Sequence, residues 1–243
     1  MNKDKHNITS HFLAEQTALR DKDVLEIGCG QGRMTHPMCD LALTLTALDP
    51  DPEAVRSVAR SLEKRIDLHC LPAESLPFPA ACFDTIVFSQ SLHHVTDIAR
   101  AFAEARRLLR PGGAIIVIEP APDSELMRIF RIFDEEEEAR LLRVRSFLQN
   151  LRRCLCKKVV FEPLWEFADS EELLAWGETF VPIDFLRRQA VLTALGPKVA
   201  DRPLQLKDSL TLMSLQVVKV SDKAREEGTK PVSANCQKII KGR

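Results

Sequence analysis

From Val24 to Glu119, short apolar runs alternate with amphipathic helical stretches, which commits that segment to a parallel sheet with crossover helices. The first run is Val24-Leu25-Glu26-Ile27, followed by a glycine loop and a helix from about Arg33. A second strand runs Leu43 to Leu48 and closes on Asp49-Pro50-Asp51-Pro52, where Asp51 suits an N-cap and Pro52 the first helical position. The third strand is expected over Ile66 to Leu71 and the fourth over Thr85 to Ser89, with a proline-bearing loop, Pro72 to Phe83, between them. The next helix, from Asp97, carries Ile98, Phe102, Ala105 and Leu109 on one stripe and stops at Pro111-Gly112-Gly113. Ala114 to Ile118 then reads as a strand buried on both faces.

Beyond Glu119 the pattern changes. Ser124 to about Leu155 is helical and charged, with one stripe of Leu126, Phe130 and Phe133 and another of Leu141, Val144, Leu148, Leu151 and Leu155. The acidic run Asp134 to Glu138 separates them, giving two helices or one bent helix. Val159 to Phe161 reads as a sixth strand, Ser170 as the cap of a further helix, and Thr211 to Val220 as the last strand. We expect one domain over 1–220, with a helical lid at about 120–157 and a polar, disordered tail over 221–243.

Composition narrows the field. At 45% hydrophobic residues and 243 positions, the chain can bury one sizeable core. Its net charge of −1 creates no global field toward nucleic acid or membrane. The polar start and the lack of a long uncharged apolar stretch predict neither a secretory leader nor a spanning helix, hence a cytoplasmic protein. Seven scattered cysteines fit reduced thiols. Cys154 and Cys156 form a lone pair, short of the four ligands of a structural zinc site, so no metal is expected. The cations Arg140, Arg143, Arg145, Arg152, Arg153, Lys157 and Lys158 suit a solvated face partnered by the acidic run; a surface for an anionic acceptor or for membrane headgroups is the alternative.

The strongest chemical signal is Glu26-Ile27-Gly28-Cys29-Gly30-Gln31-Gly32, placed between a strand and a helix. Such glycines let a ligand approach the main chain, and helix-start amides then face the crevice at the strand ends. Asp49, seventeen residues past Gly32, ends the second strand, where a carboxylate can accept from both hydroxyls of a ribose. A dinucleotide fingerprint needs G-x-G-x-x-G, whereas Arg33 stands in the sixth position here. That disfavours a nicotinamide-dependent dehydrogenase.

Val24 to Arg33 resembles motif I of the class I S-adenosylmethionine-dependent methyltransferases. Leu45 to Asp49 resembles their motif II, Ala73 to Phe78 their adenine-side loop, Phe83 to His94 their fourth-strand motif, and Arg107 to Gly113 the approach to strand five. The group that includes the quinone-biosynthesis enzymes looks most similar. The resemblance implies a doubly wound, Rossmann-like α/β fold with seven strands, mostly parallel, the last antiparallel. It implies that Gly28, Cys29, Gly30 and Gly32 border the methionine part of the donor, with Glu26 at its ammonium. Asp49 would hold the ribose, Pro50, Ala73 and Glu74 the adenine side, and Ser89 or Gln90 the methionine end. Relatives usually carry an aspartate before the Ala-Glu pair. Pro72 stands there instead, so weaker binding of S-adenosylmethionine is expected.

Methyl transfer needs alignment first, and a base only if the acceptor is still protonated. His93 and His94, just past the fourth strand, are the candidate bases; helix-start packing is their alternative role. The chain has no tyrosine to act as a phenolic base. Ser89-Gln90-Ser91-Leu92 offers no aromatic to stack a flipped base, which disfavours a nucleic-acid acceptor. The expected product is S-adenosylhomocysteine and the expected partner a small organic acceptor. A S-adenosylmethionine-binding regulator without turnover is the rival from another class.

Overall fold

The computed structural model describes residues 4–16, 18–62, 66–151 and 155–216. Within them a seven-stranded sheet runs in the order β3-β2-β1-β4-β5-β9-β6. Its strands are β1 (Asp23–Ile27), β2 (Thr44–Asp49), β3 (Asp67–Cys70), β4 (Phe83–Ser89), β5 (Leu109–Pro120), β6 (Leu155–Phe161) and β9 (Leu210–Gln216). The first five are parallel, and β9 lies antiparallel between β5 and β6. The expected seven-stranded, mostly parallel architecture is therefore present.

The strands form where the sequence supplies apolar residues for two covered faces. Val24, Leu25 and Ile27 in β1 and Ile115 to Ile118 in β5 are buried. β1 is flanked by β2 on one side and β4 on the other, so connections leave it in opposite directions and a crevice opens at its carboxyl end. The register sets the depth of that crevice. Ile27 pairs with both Leu48 and Phe88, so Gly28, Asp49 and Ser89 follow at one level.

The helices begin where polar side chains satisfy their first amides. Asp51 accepts from Glu53 N (2.9 Å) to start α3 (Pro52–Ser61), and Asp97 from Arg100 N (3.0 Å) to start α4 (Ile98–Leu108). Before them come α1 (Ile8–Ala14) and α2 (Thr35–Cys39). α4 ends at Leu108, and β5 already runs through Pro111 and both glycines, five residues earlier than the expected Ala114 start.

Ser124 caps α5 (Glu125–Phe133), and the acidic run breaks the chain before α6 (Glu137–Asn150), so there are two helices. The stripe of Val144, Leu148 and Leu151 packs into the main core with α4 and β5, placing α6 on the sheet. Leu155, assigned to that stripe in the sequence, instead opens β6. α5 belongs to a separate core with β7 (Leu164–Phe167), α7 (Ser170–Gly177), α8 (Phe185–Leu195) and β8 (Leu204–Lys207). The segment expected as a lid thus divides between the sheet and this second layer.

β7 and β8 pair antiparallel as a small second sheet. Sequence periodicity did not reveal β7, α8 or β8. Asp169, not Ser170, caps α7, accepting from Glu171 N and Glu172 N at 2.9 and 3.0 Å. The end of the expected last strand (217–220), the polar tail, and Arg152, Arg153 and Cys154 lie outside the described residues. Among the described residues no helix is long and apolar enough to cross a membrane.

Candidate active site

The glycine loop turns sharply at the end of β1. Gly28, Gly30 and Gly32 have φ of +81°, +52° and +89°. At Gly28 a Cβ would stand 2.3 Å from Ser91 Cβ, because Ser91 closes over the loop and donates to Ile27 O at 2.6 Å. Gly30 has nothing within 4 Å of a Cβ position, so its face is bare.

The loop amides do not wait for a ligand. Gly28 N and Cys29 N donate to Leu48 O (2.8 and 3.0 Å), and Gly32 N donates to Cys29 O (3.0 Å). Gly30 N donates to Asp49 Oδ2 at 2.9 Å, while Asp49 Oδ1 accepts from Asp51 N at 2.9 Å. These loop amides are thus engaged within the protein, and the following helix, α2, is one short turn. What remains is bare Cα surface, plus further lone pairs on Asp49, since each carboxylate oxygen can accept about two hydrogen bonds.

A cavity of about 1080 Å³ opens over this loop. Of the residues singled out in the sequence, Glu26, Gly28, Cys29, Gly30 and Gly32 line it, as do Ser89, Gln90, His93 and His94. Asp49, Pro50, Ala73 and Glu74 are not in its lining. Asp49 joins through Gly30; Ala73 is buried in the main core, and Glu74 accepts from Asp97 N at 3.2 Å.

The cavity collects polar atoms that the protein leaves unpaired. Glu26 Oε2, Arg33 Nη1, Ser89 Oγ, Trp165 Nε1 and Asp208 Oδ2 are buried without a hydrogen-bond partner, and all five residues line it. Unpaired buried groups cost about 1–3 kcal/mol each, so their convergence on one space marks a place for a polar ligand. Burial is the main force raising the Glu26 carboxyl to about 8, with Asp49 adding like charge. Burial likewise pushes the Cys29 thiol up to about 12, which removes it as a nucleophile.

The two histidines differ. His93 is buried, its Nδ1 2.5 Å from Glu119 Oε2 and its Nε2 3.2 Å from Glu137 Oε1. Burial opposes its charge, but the two carboxylates outweigh burial and raise it to about 9. It is an ion-paired anchor, with neither ring nitrogen free to take a proton. His94 is exposed, its ring 4.0 Å from that of His93. Desolvation against the cavity wall and the neighbouring charge lower it to about 4, leaving a neutral ring at physiological pH. Glu137 falls to about 2: burial opposes the shift, and His93 and Arg140 overcome it.

The far wall comes from the second layer. Phe130, Trp176 and Phe180 pack with ring centroids 5.0–5.5 Å apart. Arg33 reaches across the crevice to Gln90 Oε1 and lies 5.8 Å over the Trp165 ring. Gln90 itself holds a positive φ of +53°. Phe130 lies on the apolar stripe read in the sequence for the lid helices, whereas no motif spacing links Trp165, Trp176 and Phe180 to the glycine loop. The cations noted in the sequence scatter: Arg140 pairs with Asp134 and Glu137, whereas Arg143 donates to the carbonyls of His93 and Val95.

Residues 25–117 match the methyltransferase domain family. A protein named as a probable S-adenosylmethionine-dependent methyltransferase of Mycolicibacterium smegmatis is 36% identical over 116 residues, 48% of this chain and 44% of that one. The ubiquinone biosynthesis O-methyltransferase of Methylocella silvestris is 36% identical over 93 residues, 37% of this chain and 36% of that one. The chain thus spans less than half the length of either relative. Among solved structures, the YcgJ protein of Bacillus subtilis superposes with a TM-score of 0.65 at 18% identity, covering 88% of this chain and all of that one. The cyclase SpnF superposes at 0.53 with 20% identity, over 88% and 82% of the two chains. These two likenesses concern the fold. With the glycine loop and the motif order, residues 25–117 are similar to the methyltransferase domain family, and the relatives matched there are named as S-adenosylmethionine-dependent and ubiquinone-biosynthesis methyltransferases.

Proposed function

We propose that the chain moves a methyl group from S-adenosylmethionine to a small organic acceptor at oxygen, nitrogen or carbon. The observation that carries this reading is the buried, unpaired Glu26 Oε2 beside the bare glycine loop, within one cavity. A buried carboxyl with a free oxygen suits the ammonium of the donor's methionine. The open face of Gly30 suits its close approach, and Asp49 has lone pairs left for the ribose. Ser89 and Gln90 lie at the methionine end, and Pro50, Ala73 and Glu74 on the adenine side.

When bound, the donor supplies an electrophilic methyl on a positively charged sulfur. The protein's part is alignment, which can lower the barrier by about 7–11 kcal/mol. Phe130, Trp176 and Phe180 offer an apolar wall for the acceptor's body, and this wall favours a planar or hydrophobic acceptor. His93 anchors the turn through Glu119 and Glu137. His94, neutral and on the cavity wall, turns a ring nitrogen to the acceptor side, but a pKa lowered to about 4 makes it a weak base.

The likeness of fold to a cyclase is the reason to test turnover directly, since a fold hosts several chemistries. The test is transfer of labelled methyl from S-adenosylmethionine into a fractionated cell extract. Label in one small-molecule fraction, with stoichiometric S-adenosylhomocysteine, supports the reading. Tight binding of the donor without transfer to any fraction would make the chain a binder.

A further inference from the structure

His93, His94 and Glu137 each present a ligand atom to one point, and these atoms lie within 4.8 Å of one another. They come from two elements, the turn after β4 and the start of α6, so the fold rather than local sequence assembles them. Glu119 Oε2 meets His93 Nδ1 at 2.5 Å and leaves Nε2 directed at Glu137 Oε1. A carboxylate behind a histidine in this way is the arrangement that fixes the tautomer and orientation of metal-ligating imidazoles. The second oxygen of Glu137 is taken by Arg140 at 2.7 Å, which leaves Oε1 as the donor on the His93 side. The 3.2 Å separation of His93 Nε2 and Glu137 Oε1 suits two adjacent ligands on a common ion, each at about 2.0–2.2 Å.

We propose that His93, His94 and Glu137 form a site for a divalent transition-metal ion at the wall of the cavity, with Glu119 as the carboxylate that orients His93. Two imidazoles and one carboxylate select zinc, cobalt, nickel or iron over magnesium or calcium, which prefer oxygen donors. Three protein ligands are fewer than a closed structural site requires, and all three residues line the cavity, so the remaining positions face the space assigned to the acceptor. In the absence of an ion the same atoms close on each other as the ion pair described above. The inference does not depend on which methyl donor, if any, the glycine loop holds.

Cobalt titration of the chelator-treated full chain, followed by visible absorption, tests this. Ligand-field bands saturating at about one equivalent, and bleached by zinc, are expected. His94→Ala and Glu137→Gln should weaken binding at least about 100-fold, and Glu119→Gln about 10–100-fold. His94 is exposed, so His94→Ala leaves the fold in place, and circular dichroism checks that it has. Should Glu137→Gln unfold the chain, His94→Ala alone decides. Absence of bands at stoichiometric cobalt, or bands that survive His94→Ala unchanged, overturns the site.

Discussion

The floor of the cavity and its far wall are built on different principles. The floor is the carboxyl edge of β1, β2 and β4, where strand register puts Gly28, Asp49 and Ser89 at one level. Each position there follows from backbone hydrogen bonds, and the loop is held by Leu48 O and the Asp49 carboxylate. The far wall is a second core in which α5, α7 and α8 lie against the β7–β8 pair, joined by side-chain packing. There the close approach is at Gly177, where a Cβ would lie 2.4 Å from Phe133 Cε1. Donor binding should therefore follow the floor and acceptor binding the wall, with little crosstalk between them.

Gly28→Ala should break the floor most severely. It combines a 2.3 Å contact with Ser91 Cβ and a left-handed backbone, for a destabilisation of about 3 kcal/mol, and should abolish donor binding. Thermal melting and calorimetry with S-adenosylmethionine would measure both. Asp49→Ala should weaken that nucleoside about 100-fold, or ~2.8 kcal/mol, since it removes charged acceptors for the ribose and the support of Gly30.

Acid should weaken donor binding through Glu26. Free Glu26 titrates at about 8, so below that pH it carries a proton that an incoming ammonium must displace. Affinity should then fall about tenfold per pH unit between pH 8 and pH 6. The folded-state pKa is raised, so the unliganded protein should also lose stability as pH rises from the ordinary carboxylate value of 4.5 toward about 8. Glu26→Gln should flatten both profiles; an unchanged slope would detach Glu26 from the ligand.

Gly177→Ala should have the smallest effect and the most local one. The expected result is a loss of about 1–3 kcal/mol in stability and an acceptor KM raised about tenfold, with donor affinity unchanged. A parallel loss of donor affinity would show that floor and wall are coupled.

The same contrast explains what the sequence revealed. Periodicity located β1, β2, β4 and the interior of β5, because strands buried on both faces need unbroken apolar runs such as Ile115 to Ile118. The cap Asp51 and the helix starts at Asp97 and Ser124 were legible because such side chains act within three residues. β7 and β8 escaped because four residues carry a short pattern and, unlike β3, they lie outside the regular alternation of strands and helices that ends at Glu119. α8 escaped because Phe185 and Leu186 are exposed while Val191 and Leu195 are buried, which blurs the stripe. Glycine spacing pointed to the floor of the site. It could not show that Leu48 O and Asp49 consume the loop amides, or that Glu119 and Glu137 enclose His93, since those contacts join distant segments.

Calorimetry of the purified chain with S-adenosylmethionine, and in parallel with NAD, addresses the central claim most directly. The arrangement of Glu26, the bare glycine face and Asp49 predicts saturable binding of the sulfonium nucleoside at one site and no measurable heat with NAD. Heat with NAD alone, or with neither ligand, would contradict it.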